Sequence, residues 1–277
     1  MKGKTVVVAG NGPSLATPAE GRILSDDVIV RVNNFFFEPE RYLGARVDLA
    51  YIGGDPRIVP FICAAIRKAS DLYDVRSWSA PNDRVRKVVG KWIAAPFVSG
   101  EVRNPRLGAE IEALQNLYQA APTAGIRAVL LAHAQGASQI VLTGLDLYTG
   151  ERRYTYEPGP HQRALLGPDL GQRGYDERQH QLDLDRKILE LLARSGDAGL
   201  YLAGPSATLS DLLPLAPIRD GMPVTPLPKR QINDWPHWAG LYPIHLLRLM
   251  RTVRQCQMAL KERLVPRNRK SQSQPND

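Results

Sequence analysis

The chain has 277 residues and a mass of 30.7 kDa, with 43% apolar and 23% charged residues, which excludes wholesale disorder, a collagen-like repeat and a small disulfide scaffold. Its two cysteines, Cys63 and Cys256, are too few for a disulfide framework and too far apart for a metal cluster, so a reducing compartment fits best. The net charge is +8, yet the first 228 residues hold 26 basic and 25 acidic side chains, while residues 229–270 hold ten basic and two acidic ones. The excess belongs to a tail, which argues against a nucleic-acid enzyme, whose basic residues spread over a binding face.

In chain order, the run Val6-Val7-Val8-Ala9 is too short for a signal peptide or a membrane span, and a cytoplasmic protein is expected. Strands are predicted at 5–9, 28–32, 47–52, 140–143 and 200–203, several of them apolar at consecutive positions, as in strands covered on both sides. Helices are predicted at 60–68, 108–120, 124–134 and 182–194. The alternation gives an α/β fold, one domain over 1–213 with a mainly parallel sheet flanked by helices.

The first strand delivers Gly10-Asn11-Gly12-Pro13-Ser14-Leu15 at its carboxyl end, where open sheets bind nucleotides. Asn11 and Ser14 can hydrogen-bond phosphate or ribose. The run lacks the third glycine of a dinucleotide fingerprint and the Lys-Ser/Thr of a P-loop, and a tight turn with Ser14 as helix cap explains it as well. The second strand ends in Arg31-Val32-Asn33-Asn34-Phe35-Phe36-Phe37-Glu38. Its two carboxamides offer donors and acceptors without charge, which suits a sugar; capping of the next turn is the alternative.

Residues 149–180 are rich in Gly, Pro, Arg and Tyr without a sustained period, the composition of a lid or a disordered insertion. Asp183-Leu184-Asp185 falls in a predicted helix, where side chains two apart diverge, so it reads as helix N-terminal charge and no metal is expected. Residues 214–240 are thick with proline, a linker or a surface-hugging strap. Residues 241–277 form a basic amphipathic helix and tail. Leu246, Leu249, Met250, Val253, Cys256, Leu260 and Leu264 share one face, with Arg248, Arg251, Arg254, Lys261 and Arg263 beside it. Two readings fit: an anchor on an anionic membrane surface, or a helix docked on its own domain.

Taken together, Gly10 to Leu15, Arg31 to Glu38, Tyr42-Leu43-Gly44, Pro122-Thr123-Ala124-Gly125, Thr143-Gly144-Leu145-Asp146-Leu147-Tyr148, Tyr154 and His180 resemble, in order, the bacterial sialyltransferases of glycosyltransferase family 42, the Campylobacter-type α-2,3/2,8 enzymes. The resemblance covers residues 4 to about 210. It implies a Rossmann-like, GT-A-like domain with a mobile lid, which transfers sialic acid from CMP-sialic acid to a sugar hydroxyl with inversion, needing no cofactor or metal. By position, Asn11, Gly12 and Ser14 would hold the cytidine and phosphate side, and Asn33 and Asn34 would face the sialic acid. Thr123 and Ala124 would meet the sugar carboxylate at a helix N-terminus, and Gly144, Asp146 and Leu147 would line the nucleoside pocket. Tyr148 and Tyr154 would donate to the leaving phosphate without help from a cation, and His180 would be the general base.

Among the other histidines, His133 reads as packed, His161 as the second candidate for the base, and His237 and His245 as tail residues. Three places depart from the family pattern: Ala124 replaces a serine, Gly53-Gly54-Asp55 replaces an asparagine at the third strand end, and Ala121-Pro122 stands where an arginine is expected. A donor carrying another CMP-activated nonulosonic acid, or a non-catalytic nucleotide- or glycan-binding module, are the alternatives. The family setting implies a glycan acceptor of lipooligosaccharide or capsule type, terminating in galactose or sialic acid. It also implies a peripheral position on the inner face of the cell membrane. Self-association stays open.

Overall fold

The computed structural model describes all residues except 18, 54–57, 101, 103, 171–180, 230–241 and 265–277, with side chains left out at 261–264. Strands β1 (Thr5–Ala9), β2 (Val28–Val32), β4 (Leu49–Tyr51), β6 (Trp78–Ser79), β7 (Gln139–Thr143) and β8 (Gly199–Leu202) form one sheet in the order β6-β4-β2-β1-β7-β8. Every pairing in it is parallel. The chain winds outward from β1 through β2, β4 and β6, then returns to the other side of β1 as β7 and β8. Loops therefore part between β1 and β7, which makes the carboxyl ends of those strands a natural crevice.

The pleat assigns the core. Val6 and Val8 of β1 join Val30, Val32, Ile140 and Leu142 beneath α4 (Ala124–Ala134) and α6 (Leu182–Ser195), and α3 (Pro105–Tyr118) adds Leu107 and Ile111 to that face. Asn104 caps α3, accepting from Arg106 N and Leu107 N ahead of Pro105. On the opposite face, α1 (Val59–Lys68) and α2 (Asp83–Val89) cover β4 and β6, packing on Ala50, Ile52 and Trp78. In the middle, Val7, Ala9, Ile29 and Val141 are covered by Leu15, Ile23, Leu43 and Ala216 instead of a helix.

Ala216 belongs to a strap, residues 214–229, that runs back across the domain. Leu215 bridges Leu202, Pro223 bridges Leu24 and Leu227 bridges Arg41. Arg219 donates to both oxygens of the buried Asp27, at 3.0 and 2.5 Å, and to the Arg22 carbonyl at 3.0 Å. Of the two readings of the proline-rich segment, 214–229 takes the strap; 230–240 lies outside the described residues.

Three local expectations change. The strand predicted at 47–52 is broken at Asp48: β3 (Arg46–Val47) leaves to pair with β5 (Asp74–Val75), because the Asp48 carboxylate accepts from Ile29 N at 2.8 Å. The stretch read as irregular contains α5 (Pro160–Leu166), started by Pro160, while residues 171–180 of the expected lid lie outside the described residues. In the tail, α7 (Ile244–Leu264) packs along α5 and its Leu247 is 5% exposed, whereas Leu249, Val253, Cys256 and Leu260 of the expected apolar face are exposed. The helix is thus docked on its own domain along α5, with part of the expected apolar face left exposed. Among the described residues, no helix is long and apolar enough to cross a membrane.

Candidate functional site

The crevice at the switch point is an open cleft lined by the loops after β1, β2 and β7 and by the start of α4. Its floor is the zipped pair of loops after β1 and β7. Gly10 N donates to Thr143 O and Gly12 N to Gly144 O, both at 2.9 Å. The contact is too close for side chains, since a Cβ on Gly10 would lie 2.2 Å from Gly144 O and one on Gly12 2.0 Å from Asp146 Oδ2. The glycines are there for loop-to-loop approach, which leaves Asn11 at the cleft wall. Its Nδ2 donates to Val32 O at 2.8 Å, while its Oδ1 is buried with no partner among the described residues.

Ser14 does something other than face the cleft. Its Oγ accepts from Gly144 N at 3.0 Å and its own N–H donates to Asp146 Oδ2 at 3.2 Å, so it ties the two loops from behind. Asp146 lines the cleft, and burial pushes its carboxyl up, a shift the Ser14 bonds oppose. The loop then turns through Leu147 and Tyr148, at φ values of 49° and 63°, a left-handed pair that non-glycine residues rarely adopt. That turn brings Tyr148 into the cleft opposite Tyr154, both of which line it.

On the second side, Asn33 and Asn34 line the cleft. Asn33 adopts φ 51° and its Oδ1 accepts from Gly53 N at 2.9 Å, fixing the end of β4. The third side is the start of α4, with Thr123 as N-cap. The Thr123 hydroxyl makes no capping bond, so the first N–H groups of α4 open toward the cleft. Thr123 N itself donates to Asp185 Oδ1 of α6 at 3.1 Å. Asp185 is 2% exposed, and burial pushes its carboxyl up to about 6 against the opposing pull of that bond and of Arg127. Its neighbour Asp183 is exposed, so the two carboxylates diverge. Among the described residues no three acidic, histidine or cysteine side chains gather.

Two departures from the family pattern turn out to touch. A Cβ on Gly53 would stand 2.9 Å from the Ala124 Cβ, so the missing side chain at one position makes room for the other. Of the thirteen residues singled out from the sequence, eleven line this cleft: Asn11, Gly12, Asn33, Asn34, Thr123 and Ala124, with Gly144, Asp146, Leu147 and Tyr148 after β7, and Tyr154. Ser14 sits behind it, and His180 lies outside the described residues. His133 is at the far end of α4, half-buried and 3.7 Å from Asp197, with its pKa lowered by burial. His161 is buried in α5 and does not line the cleft; His245 is exposed on α7, and His237 lies outside the described residues.

Of the described lining residues not singled out, Arg153 alone carries a charge. Arg153 is 7% exposed, and its guanidinium carbon lies 4.2 Å from the Tyr148 ring centre and 5.5 Å from that of Tyr154. The expectation that the two phenols act without a cation therefore meets a cation lying against both rings. Nothing in the sequence separates Arg153 from exposed Arg152, except that Arg153 directly precedes Tyr154.

Fold and cleft together define a parallel α/β protein with a polar ligand site at its topological switch point. No protein family and no curated protein matches the chain. Its structure is similar to that of the sialyltransferase CstII from Campylobacter jejuni in complex with the substrate analogue CMP-3FNeuAc, at 21% identity and a TM-score of 0.68, over 82% of this chain and 92% of that one. It is also similar to the monofunctional α-2,3-sialyltransferase Cst-I of the same organism, at 20% identity and a TM-score of 0.71, over 95% and 96%. A third likeness is to CstII with trisaccharide acceptor and CMP, at 21% and 0.66, over 82% and 92%. At such identity these are likenesses of fold.

Proposed function

We propose that this chain is a sialyltransferase that moves sialic acid from CMP-sialic acid to a sugar hydroxyl, with inversion and without a metal. The observation that carries the reading is the convergence of motifs far apart in sequence on one cleft, in a fold shared with solved sialyltransferases. In this reading Gly144, Asp146 and Leu147 hold the nucleoside, with Asn11 and Gly12 toward the phosphate. Asn33 and Asn34 face the sugar, and the N–H groups at the start of α4 with Thr123 take its carboxylate. The acceptor oxygen attacks the anomeric carbon, the bond to the phosphate breaks with its electron pair leaving on CMP, and Tyr148 and Tyr154 hydrogen-bond the charge that develops. His180 takes the acceptor's proton. What supports that role is its place in sequence just ahead of α6, which starts at Leu182 and whose Asp185 accepts from Thr123 N at the cleft wall.

A related nonulosonic acid as the transferred sugar is the second reading, favoured by the Gly53–Ala124 contact, which changes the wall where a hydroxyl and an amide are expected. The acceptor in this proposal ends in galactose or sialic acid on a lipooligosaccharide- or capsule-type glycan. The enzyme works at the cytoplasmic face of the cell membrane, and the exposed Leu249, Val253 and Leu260 among the arginines of α7 support peripheral attachment there.

The test is to incubate the protein with CMP-sialic acid and EDTA, with and without a galactose-terminated acceptor, following CMP and transferred sugar. Acceptor-dependent transfer is expected, with a rate that rises through roughly pH 6 to 7 as the histidine deprotonates. His180→Ala should cut it about 10²- to 10⁴-fold. CMP binding with neither transfer nor hydrolysis would mark a non-catalytic nucleotide-binding module, and absence of CMP binding would contradict the donor site.

A further inference from the structure

Arg153 is buried beside the cleft with its charge uncompensated. Its Nε and Nη1 make no hydrogen bond among the described residues, and no carboxylate pairs with it there. What surrounds the guanidinium is aromatic and neutral: the rings of Tyr148 and Tyr154, the second stacked on Tyr156 at 4.9 Å and 6° between planes, with a side-chain hydrogen bond to Tyr148. Ring faces orient a cation without neutralising it, and a buried cation without a counter-anion is costly. Arg152 next to it is exposed and pairs with Glu157 at 3.9 Å, so the two arginines have separate circumstances. A planar fork with two unused N–H-bearing atoms, held on the wall of a ligand cleft, matches a phosphate oxygen pair in geometry and charge.

We infer that Arg153 is the phosphate-binding cation of the cleft, gripping the donor's phosphate and stabilising the charge that collects on it as the sugar leaves. The inference rests on the reading of the cleft as a CMP-sugar site, because it takes the bound anion to be the nucleotide's own phosphate. In the donor that phosphate is a diester with one negative charge. When the anomeric carbon–oxygen bond breaks, the electron pair stays on the phosphate oxygen and CMP departs with a second charge. Arg153 therefore holds the leaving group more strongly than the intact donor, with Tyr148 and Tyr154 donating beside it.

The experiment is calorimetric titration of the full chain with CMP and with cytidine, for the parent, Arg153→Met and Arg153→Lys, together with their unfolding temperatures without ligand. The parent should bind CMP about 10- to 100-fold more tightly than cytidine. Arg153→Met should bring that ratio close to one while leaving cytidine affinity unchanged, which also shows that the variant is folded. Its unfolding temperature should not fall, because a buried cation without a counter-anion has been removed; a purely structural arginine would give the opposite shift. Arg153→Lys should keep part of the ratio, since charge survives and the fork does not. A parent-like CMP-to-cytidine ratio in Arg153→Met overturns the inference and leaves the donor reading standing. If Arg153→Met fails to fold, an undiminished ratio in Arg153→Lys overturns it. Arg153-dependent preference for another nucleoside monophosphate over its nucleoside, with no binding of CMP, upholds the arginine and overturns the donor. A parent that binds no nucleoside monophosphate overturns both.

Discussion

Two buried arginines mark two regions built on opposite logic. Arg31, at the end of β2, is 1% exposed and meets Glu38 in a two-point ion pair at 3.1 and 2.6 Å, and Tyr73 completes the carboxylate at 2.8 Å. Lys229 of the strap closes that region from outside, donating to the carbonyls of Phe36 and Glu38, with its pKa pulled down to about 8 by burial. Every charge there has a partner inside the protein. Arg153, across the sheet end, is also buried but has only ring faces, a Tyr148 hydrogen bond and a cleft beside it, with no counter-anion among the described residues. The unpartnered Asn11 Oδ1 and the left-handed backbone of Leu147 and Tyr148 lie on the same cleft side. A folded chain tolerates such groups where something else is meant to satisfy them, which is why the paired region is scaffold and the unpaired one is site.

The largest effect that sharpens this contrast should come from the scaffold. Glu38→Ala leaves Arg31 buried and unpaired, at an expected cost of about 3–5 kcal/mol in denaturant unfolding. A loss under about 1 kcal/mol, on the scale of an exposed ion pair, would break the distinction. Next, Tyr148→Phe removes one phenol from the cleft without emptying it, and should lower the transfer rate about 10- to 100-fold with an unfolding temperature close to the parent's. Equal losses of rate and stability would make the tyrosine scaffold instead.

Asp185 stands between the regions, because its carboxyl is buried but accepts one N–H from the cleft wall. With its pKa raised to about 6 in the folded chain, above an ordinary value near ~3.9, the folded state keeps a proton that the unfolded state has lost. Its contribution is whole below about pH 4 and is lost as pH rises through about 6. Asp185→Asn should therefore be more stable than the parent by about 1–2 kcal/mol at pH 7, with the gap closing toward pH 4. A gap that widens in acid would reverse the sign and the assignment. On the tail, Leu249→Glu with Leu260→Glu should weaken sedimentation with anionic vesicles by about tenfold or more while leaving soluble-acceptor turnover alone. Unchanged sedimentation would leave α7 as a docked helix only.

Much of this was legible in the sequence because it is local. The consecutive valines of β1, the glycines flanking Asn11 and the second-strand amides announce themselves by residue type. The Arg31–Glu38 pair is written in one octapeptide, yet its meaning needs the 3-10 turn at Phe35–Phe37 that folds the glutamate back onto β2. What could not be read depends on distant chain. Strands β5 and β6 are two residues long and carry no period of their own. Ser14 looks like a ligand group until Gly144 and Asp146, some 130 residues on, occupy it. The coupling of Gly53 with Ala124 likewise exists only where β4 meets α4.

The most direct measurement is a crystal structure of the protein soaked with CMP. The account predicts the phosphate within hydrogen-bond reach of the Tyr148 and Tyr154 phenols and the Arg153 guanidinium, with the nucleoside along Gly144 to Leu147. CMP seated elsewhere, or a cleft left empty while CMP binds in solution, would contradict it.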